Sequence, residues 1–219
     1  MSRMPEAIVS DREHAGRMDR MYRTQRHIYD VTRKYYLFGR DTLIDGLGAA
    51  SGSRVLEVGC GTGRNLALIA RRYPRAKLYG LDISAEMLIS AEKALAGRNA
   101  ILNTADATDF NARAFGVDGF DRIVISYALS MIPDWDKAID TALDALAPGG
   151  TLHIADFGQQ EGLPPIARRI LTAWLTRFHV TPRAQLMSVA TAKAHERGMT
   201  VETTTLGRCY AWLLVCRRP

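Results

Sequence analysis

The sequence predicts a doubly wound α/β domain, a mostly parallel sheet with helices on both faces, closed by an antiparallel hairpin. Three observations predict it. From position 53 onward, short apolar runs alternate with amphipathic stretches, the signature of strand–helix–strand units. The first of these runs ends in the glycine-rich EVGCGTGRN, where a strand must turn into a helix. The last stretch, VETTTLGRCYAWLLVC, reads as two strands joined around Gly207, an antiparallel addition that such sheets accept.

Each element follows in order. Residues 1–48 are expected to form an N-terminal helical lid and substrate segment, and residues 49–219 the main domain; 219 residues suit one domain. RVLEVG (53–58) is a buried strand. NLALIARRY (65–73) is a helix whose Leu66, Ile69, Ala70 and Tyr73 recur at steps of three and four. KLYGLD (77–82) is the second strand. A helix runs from Ser84 to Leu95, with Ser84 as its N-cap and Met87 and Leu88 opening its buried face. Strands AILNTAD (100–106) and FDRIVISYAL (120–129) come next, then a helix over 135–147, a turn at APGG (147–150) and the strand TLHIADF (151–157). A helical region over 164–197, interrupted near Pro182, precedes the hairpin.

Composition narrows the class. Hydrophobic residues make up 47% and charged residues 24%, which excludes disorder. No apolar run reaches the roughly 20 residues of a membrane span, so no transmembrane segment is expected. The opening MSRMPEAIVSDREH lacks an apolar h-region and is not read as a secretory signal. Cys60, Cys209 and Cys216 form no CxxC pair, which fits a reducing cytoplasm and predicts no metal site. The net charge of +6 is uneven: residues 1–50 carry 9 basic and 7 acidic side chains, residues 51–160 carry 11 and 13, and residues 161–219 carry 9 and 3. The last segment therefore holds the excess, and favours an anionic partner such as a phospholipid leaflet or nucleic acid.

A cofactor site is marked at three strand ends. Gly59, Gly61 and Gly63 are spaced G-x-G-x-G. Glycine there permits a tight turn and close approach of a ligand. The spacing is not the G-x-G-x-x-G of dinucleotide folds, and there is no Walker lysine. Glu57 lies two places before the first glycine, and Asp82 ends the second strand, where a carboxylate can accept both ribose hydroxyls of a nucleoside. Asp106, at the end of the third strand, is placed to accept the exocyclic amine of an adenine.

The ordered set E-x-G-x-G-x-G, Asp82, Asp106 and LAPGG before a fifth strand resembles the class I S-adenosylmethionine-dependent methyltransferases, which are Rossmann-like, over about residues 50–157. The resemblance implies S-adenosylmethionine as cofactor and S-adenosylhomocysteine as product. It implies that Gly59, Cys60 and Gly61 pass under the methionine part and that Glu57 orients its amino group. Asp82 would hold the ribose, and Ile83 and Ala107 would flank an adenine met by Asp106. Ser126 and Tyr127, at the end of the fourth strand, would face the transferring methyl. Cys60 is read as a small loop residue, since methyl transfer needs no nucleophile.

The acceptor is read from what is added to that core. HIYDVTRKYYLFGRDTL (27–43) interleaves tyrosines with arginines at helical spacing. Either this is half-buried packing with a solvated edge, or it holds an anionic group beside a methylated one. The longer MYRTQRHIYDVTRKYYLFGRD (21–41) resembles the N-terminal segment of bacterial diacylglyceryl-homoserine N-methyltransferases, as do FHVTPRAQL (178–186) and RCYAWLLVCRR (208–218) with less specificity. That family trimethylates the headgroup amine of a diacylglyceryl-homoserine lipid to a betaine lipid. The chemistry fits: an arginine fork binds the headgroup carboxylate in two parallel bonds, and aromatic faces bind the growing ammonium by roughly 0.5–2 kcal/mol each. Tyr29, Arg33 and Tyr35 are the expected catalytic constellation, with Tyr22, Arg26, Tyr127 and His179 as substrate-binding residues.

A diacylated substrate implies a peripheral enzyme on the inner, cytoplasmic face of a membrane, paired with the enzyme that makes diacylglyceryl-homoserine. LPPIARRILTAWLTRF (163–178) offers a means: Ile166, Ile170, Trp174 and Phe178 on one stripe, with Arg168, Arg169 and Arg177 largely off it. The same stripe also suits a lid helix packing on the sheet. The alternatives are a phosphatidylethanolamine or quinone-type methyltransferase, an RNA methyltransferase, and a cofactor-binding protein without turnover. No RNA-binding module is found, and no nucleic-acid partner is expected.

Overall fold

The computed structural model describes residues 38–178 and 180–219. Seven strands form one sheet: β1 (Arg54–Val58), β2 (Lys77–Asp82), β3 (Ala100–Thr104), β4 (Phe120–Ser126), β5 (Leu146–Phe157), β6 (Thr200–Leu206) and β7 (Ala211–Arg217). Their order is β3-β2-β1-β4-β5-β7-β6. The first five are parallel, and β7 runs antiparallel between β5 and β6. The expected doubly wound sheet with its closing hairpin is what forms. The strand order reverses between β1 and β4, so the crevice for a ligand lies beyond the carboxyl ends of these two strands.

The helices are α1 (Arg40–Asp45), α2 (Arg64–Arg72), α3 (Ala85–Ala94), α4 (Trp135–Asp144), α5 (Pro165–Arg177) and α6 (Leu186–Glu196), with a 3₁₀ turn at Ala112–Phe115. The period-2 alternation of strand side chains divides the core in two. Leu56, Val58, Ile123, Ile125, Leu152 and Ile154 face α4, α6 and the 3₁₀ turn, where Tyr79, Phe115 and Phe120 stack edge to face. Val55, Val124, Ala155 and Phe157 face α1, α2 and the buried Leu175 of α5. Both faces are covered, as a parallel sheet requires.

Local chemistry explains most boundaries. Ser84 caps α3 as expected, its Oγ accepting the Met87 N–H at 3.3 Å, and Met87 and Leu88 are buried. On one face, Asp136, Asp140 and Asp144 of α4 pair with Lys193 and Arg197 of α6, each set repeating at i, i+4. At the amino ends of β1 and β4, Arg54 grips Asp121 through Nη2 to Oδ1 at 2.9 Å and Nε to Oδ2 at 3.0 Å. The guanidinium holds the Asp121 carboxyl below its ordinary range.

Three expectations are corrected. APGG is not a turn outside the sheet: β5 starts at Leu146 and runs through it, with a register shift opposite Phe120 and Arg122 and Gly149 at φ 71°, the geometry of a bulge. The fourth strand ends at Ser126, because Tyr127 adopts φ 56° and turns the chain out of the sheet. The third ends at Thr104, before the expected Asp106. The N-terminal lid expected over 1–48 lies outside the described residues except for 38–48, which carry α1.

Candidate functional site

The carboxyl ends of β1, β2 and β3 converge on one residue. Asp82, buried at the end of β2, accepts the Gly61 N–H at 2.8 Å on Oδ2 and the Ser84 N–H at 3.0 Å on Oδ1. Its own carbonyl accepts the Ala105 N–H at 3.1 Å, beyond the end of β3. The glycine loop is fixed further by Cys60 N–H to Leu81 O at 2.9 Å and Gly63 N–H to Cys60 O at 2.9 Å. One residue therefore sets the loop after β1 and the start of α3 through its carboxylate, and the approach from β3 through its carbonyl.

The loop is built for glycine. Gly59, Gly61 and Gly63 lie at φ 69°, 52° and 74°, the left-handed region that costs an L side chain roughly 1–2 kcal/mol. A Cβ on Gly59 would sit 2.8 Å from the Ala128 Cβ, and one on Gly63 would sit 2.9 Å from the Ala91 Cβ. The loop backbone is thus pressed between α3 and the segment leaving β4. Glu57 is buried beneath it, its Oε1 accepting Asn65 Nδ2 at 2.7 Å. Burial pushes the Cys60 thiol well up, with the Glu57 and Asp82 charges adding to the shift, so its reactive thiolate is suppressed.

These residues fit S-adenosylmethionine. Ser126, 2% exposed at the end of β4, has an Oγ with no hydrogen-bond partner among the described residues. A buried polar atom of this kind is one that a ligand satisfies. Asp106 accepts the Thr108 N–H at 2.6 Å through Oδ1, and no described residue donates to its Oδ2. Ile83, which follows Asp82, is half-buried and Ala107, which follows Asp106, is buried, apolar flanks for a flat ring. The nine residues expected to bind cofactor therefore all belong to the ends of β1, β2, β3 and β4 or to the loops leaving them.

The acceptor side is different. Tyr22, Arg26, Tyr29, Arg33, Tyr35 and His179 lie outside the described residues. Tyr127, expected to face the transferring methyl, is 2% exposed: its ring stands edge-on to Phe157 at 4.7 Å and its hydroxyl donates to the Phe38 carbonyl. Burial raises its hydroxyl pKa far above the ordinary tyrosine value. In this arrangement it anchors the chain entering α1. Arg40, in α1, is buried too. Its Nε and Nη2 both donate to Asp41 Oδ1, at 3.0 and 2.9 Å, while its Nη1 is buried with no partner among the described residues.

Sequence reasoning missed a clamp on the segment after β4. Asp156, fully buried at the end of β5, accepts the Phe157 N–H at 2.8 Å and the Ser130 N–H at 3.1 Å, one on each oxygen. Burial raises its pKa to about 6. From the opposite side, Arg183 donates to the carbonyls of Leu129 at 3.1 Å and Ile132 at 2.6 Å, and the Thr181 N–H donates to Ser130 O at 2.9 Å. The segment that presses on Gly59 is thereby held by β5 and by the connection from α5 to α6. Asn65 was missed as well; its one signal was a polar residue on the inner face of an apolar helix.

Residues 55–150 match a family described as "Methyltransferase domain". The chain is 35% identical over 101 residues to the trans-aconitate 2-methyltransferase of Rhodopseudomonas palustris (strain BisA53), a match covering 46% of this chain and 37% of that one. It is 30% identical over 157 residues to the demethylmenaquinone methyltransferase of Clavibacter sepedonicus, covering 69% and 60%. This chain thus spans less than two thirds of the length of these relatives. In fold it is similar to the plantazolicin methyltransferase BpumL, solved in complex with a monoazolic desmethylPZN analog and SAH, at a TM-score of 0.71 and 14% identity over 95% of this chain and 97% of that one. The fold is the Rossmann-like one of methyltransferases.

Proposed function

We propose that this chain is an S-adenosylmethionine-dependent methyltransferase that methylates the headgroup amine of diacylglyceryl-homoserine at the inner face of a membrane. The observation that carries the first part is the glycine loop held by Asp82 beside the unsatisfied Ser126 hydroxyl, within a matched methyltransferase domain. When bound, S-adenosylmethionine supplies an electrophilic methyl group. Asp82 and Asp106 hold its nucleoside, and the loop backbone with Glu57 and Ser126 holds the amino-acid part.

The acceptor reading rests on the resemblance of residues 21–41 and on acceptor chemistry. The headgroup presents an amine beside a carboxylate. Arg40 suits that carboxylate: a buried guanidinium that, among the described residues, is served by a neighbouring, largely exposed aspartate alone is under-compensated, and its Nη1, with no partner among those residues, suits an anion. With the carboxylate fixed, the chain's remaining tasks are to position the neutral amine and exclude water. Asp156, through the Ser130 and Phe157 backbone N–H groups it accepts, positions the segment after β4.

A second reading, methylation of a quinone precursor, is favoured by the similarity to a demethylmenaquinone methyltransferase over 69% of this chain. Lipid extracts separate the two. Cells expressing this chain beside an enzyme that makes diacylglyceryl-homoserine should accumulate the trimethylated betaine lipid, and cells with Asp82→Ala should not. A changed quinone profile with unmethylated diacylglyceryl-homoserine would establish the second reading instead.

A further inference from the structure

Helix α5 stands off the domain. Of its thirteen residues only Leu175 is buried. At 3.6 residues per turn, Leu171 and Leu175 mark the side that meets the protein, and Trp174, stacked on Phe178 at 4.8 Å, lies at its border. The opposite side should carry charge if it faced only water. It carries Ile166, 75% exposed, and Ile170, 66% exposed, followed by Arg177 about two turns beyond Ile170. The helix opens from exposed Pro164 and Pro165; Arg169 is exposed on the flank of the isoleucines, and Arg168 is exposed toward the side of Leu171 and Leu175. Between Glu161 and Glu196 the chain has no acidic residue, while it carries Arg168, Arg169, Arg177, Arg183 and Lys193. Against the N-terminal half of α5 lies a concavity of about 600 Å³ lined by Leu163, Pro165, Arg168, Arg169 and Thr172, with Glu161 at its end.

We infer that the outer face of α5 docks on an anionic lipid bilayer, with Ile166 and Ile170 inserted at the headgroup–acyl boundary and Arg169 and Arg177 on the lipid phosphates. Exposed isoleucines with cations and no anion on the same helix are the chemistry of an interfacial helix. A second copy of this chain is a poorer occupant, since it would bring the same arginines against themselves. The face also has a route to the site: the connection leaving α5 carries Thr181 and Arg183, which hold the segment at 129–132. The inference supplies the lipid-acceptor reading with its docking surface and rests on that reading for its role, but its test uses no acceptor.

The test is flotation of the full chain with phosphatidylcholine vesicles and with vesicles containing phosphatidylglycerol, all free of acceptor lipid. The chain should float with the anionic vesicles and be released by high salt. Arg169→Gln and Arg177→Gln should each weaken partitioning about fivefold, from about 1 kcal/mol per cation near the surface. Ile166→Ser with Ile170→Ser should weaken it with the salt dependence retained. All variants should keep the parent melting temperature and S-adenosylmethionine affinity, because these side chains lie outside the core. Equal flotation with neutral and anionic vesicles, unchanged flotation of the variants, or an oligomer that the isoleucine variants disperse would overturn the inference. Turnover of a detergent-dispersed acceptor reports separately: its absence with vesicle binding intact removes the acceptor reading and leaves the surface standing.

Discussion

At the scale of single residues, Asp82 has a double load. Its position at a strand end marks it as a ribose ligand, yet its carboxylate also takes two backbone N–H groups. Asp82→Ala should therefore lower stability by roughly 1–3 kcal/mol as well as abolish tight cofactor binding, because two buried donors lose their acceptor. Urea denaturation beside calorimetry checks this; full stability with lost affinity would leave Asp82 as a ligand alone. Arg40→Lys keeps the charge and loses the fork, so it should raise the Michaelis constant for the lipid while S-adenosylmethionine affinity holds. An unchanged constant would remove Arg40 from the acceptor site. Two buried groups of β5 give opposite pH slopes. Burial lowers the His153 pKa to about 3 from 6.5, so the unfolded chain binds the extra proton and stability falls as pH drops through that range. Burial raises the Asp156 pKa to about 6 from 3.8, so the folded chain binds the extra proton and stability falls as pH rises. Between pH 4 and 6 the two oppose. His153→Asn should make stability decline with rising pH relative to the parent, and Asp156→Asn should make it climb; parallel curves for parent and variants would contradict both assignments.

At the scale of elements, the strands and helices were readable because their signals are local. Leu66, Ile69 and Ala70 repeat at helical steps, and Ser84 stands where a cap belongs. The bulge at 146–150 was not, since a glycine pair reads as a turn until β4 fixes its register. The glycine loop was legible from spacing. The clamp behind it was not, because Arg183 lies 54 positions from Leu129 and Asp156 lies 26 from Ser130, and no local pattern links such partners. Nor did Tyr127 announce that its hydroxyl would serve the Phe38 carbonyl, 89 positions away. The fit of loop to segment is testable. Gly59→Ala should weaken S-adenosylmethionine binding through both the positive φ and the contact with Ala128. Adding Ala128→Gly should restore the steric part only, a coupling that a double-mutant cycle by calorimetry would read. Strict additivity would mean that the two segments do not press on one another.

At the scale of the whole molecule, charge and chemistry are divided along the chain. Residues 51–160, with 11 basic and 13 acidic side chains, carry the cofactor residues and the reversal of strand order; residues 161–219, with 9 and 3, carry the exposed helix and the closing hairpin. Among the described residues, no helix is long and apolar enough to cross a membrane, and under the proposed reading the cationic α5 is the surface through which a diacylated acceptor would be reached. The most direct measurement gives the purified chain labelled S-adenosylmethionine together with equal amounts of diacylglyceryl-homoserine and a demethylated quinone, and follows the products by mass spectrometry. Label should pass to the nitrogen of the lipid and appear as mono-, di- and trimethylated forms in succession. Label on the quinone ring carbon, or in neither acceptor while the cofactor stays bound, would contradict N-methylation of the lipid.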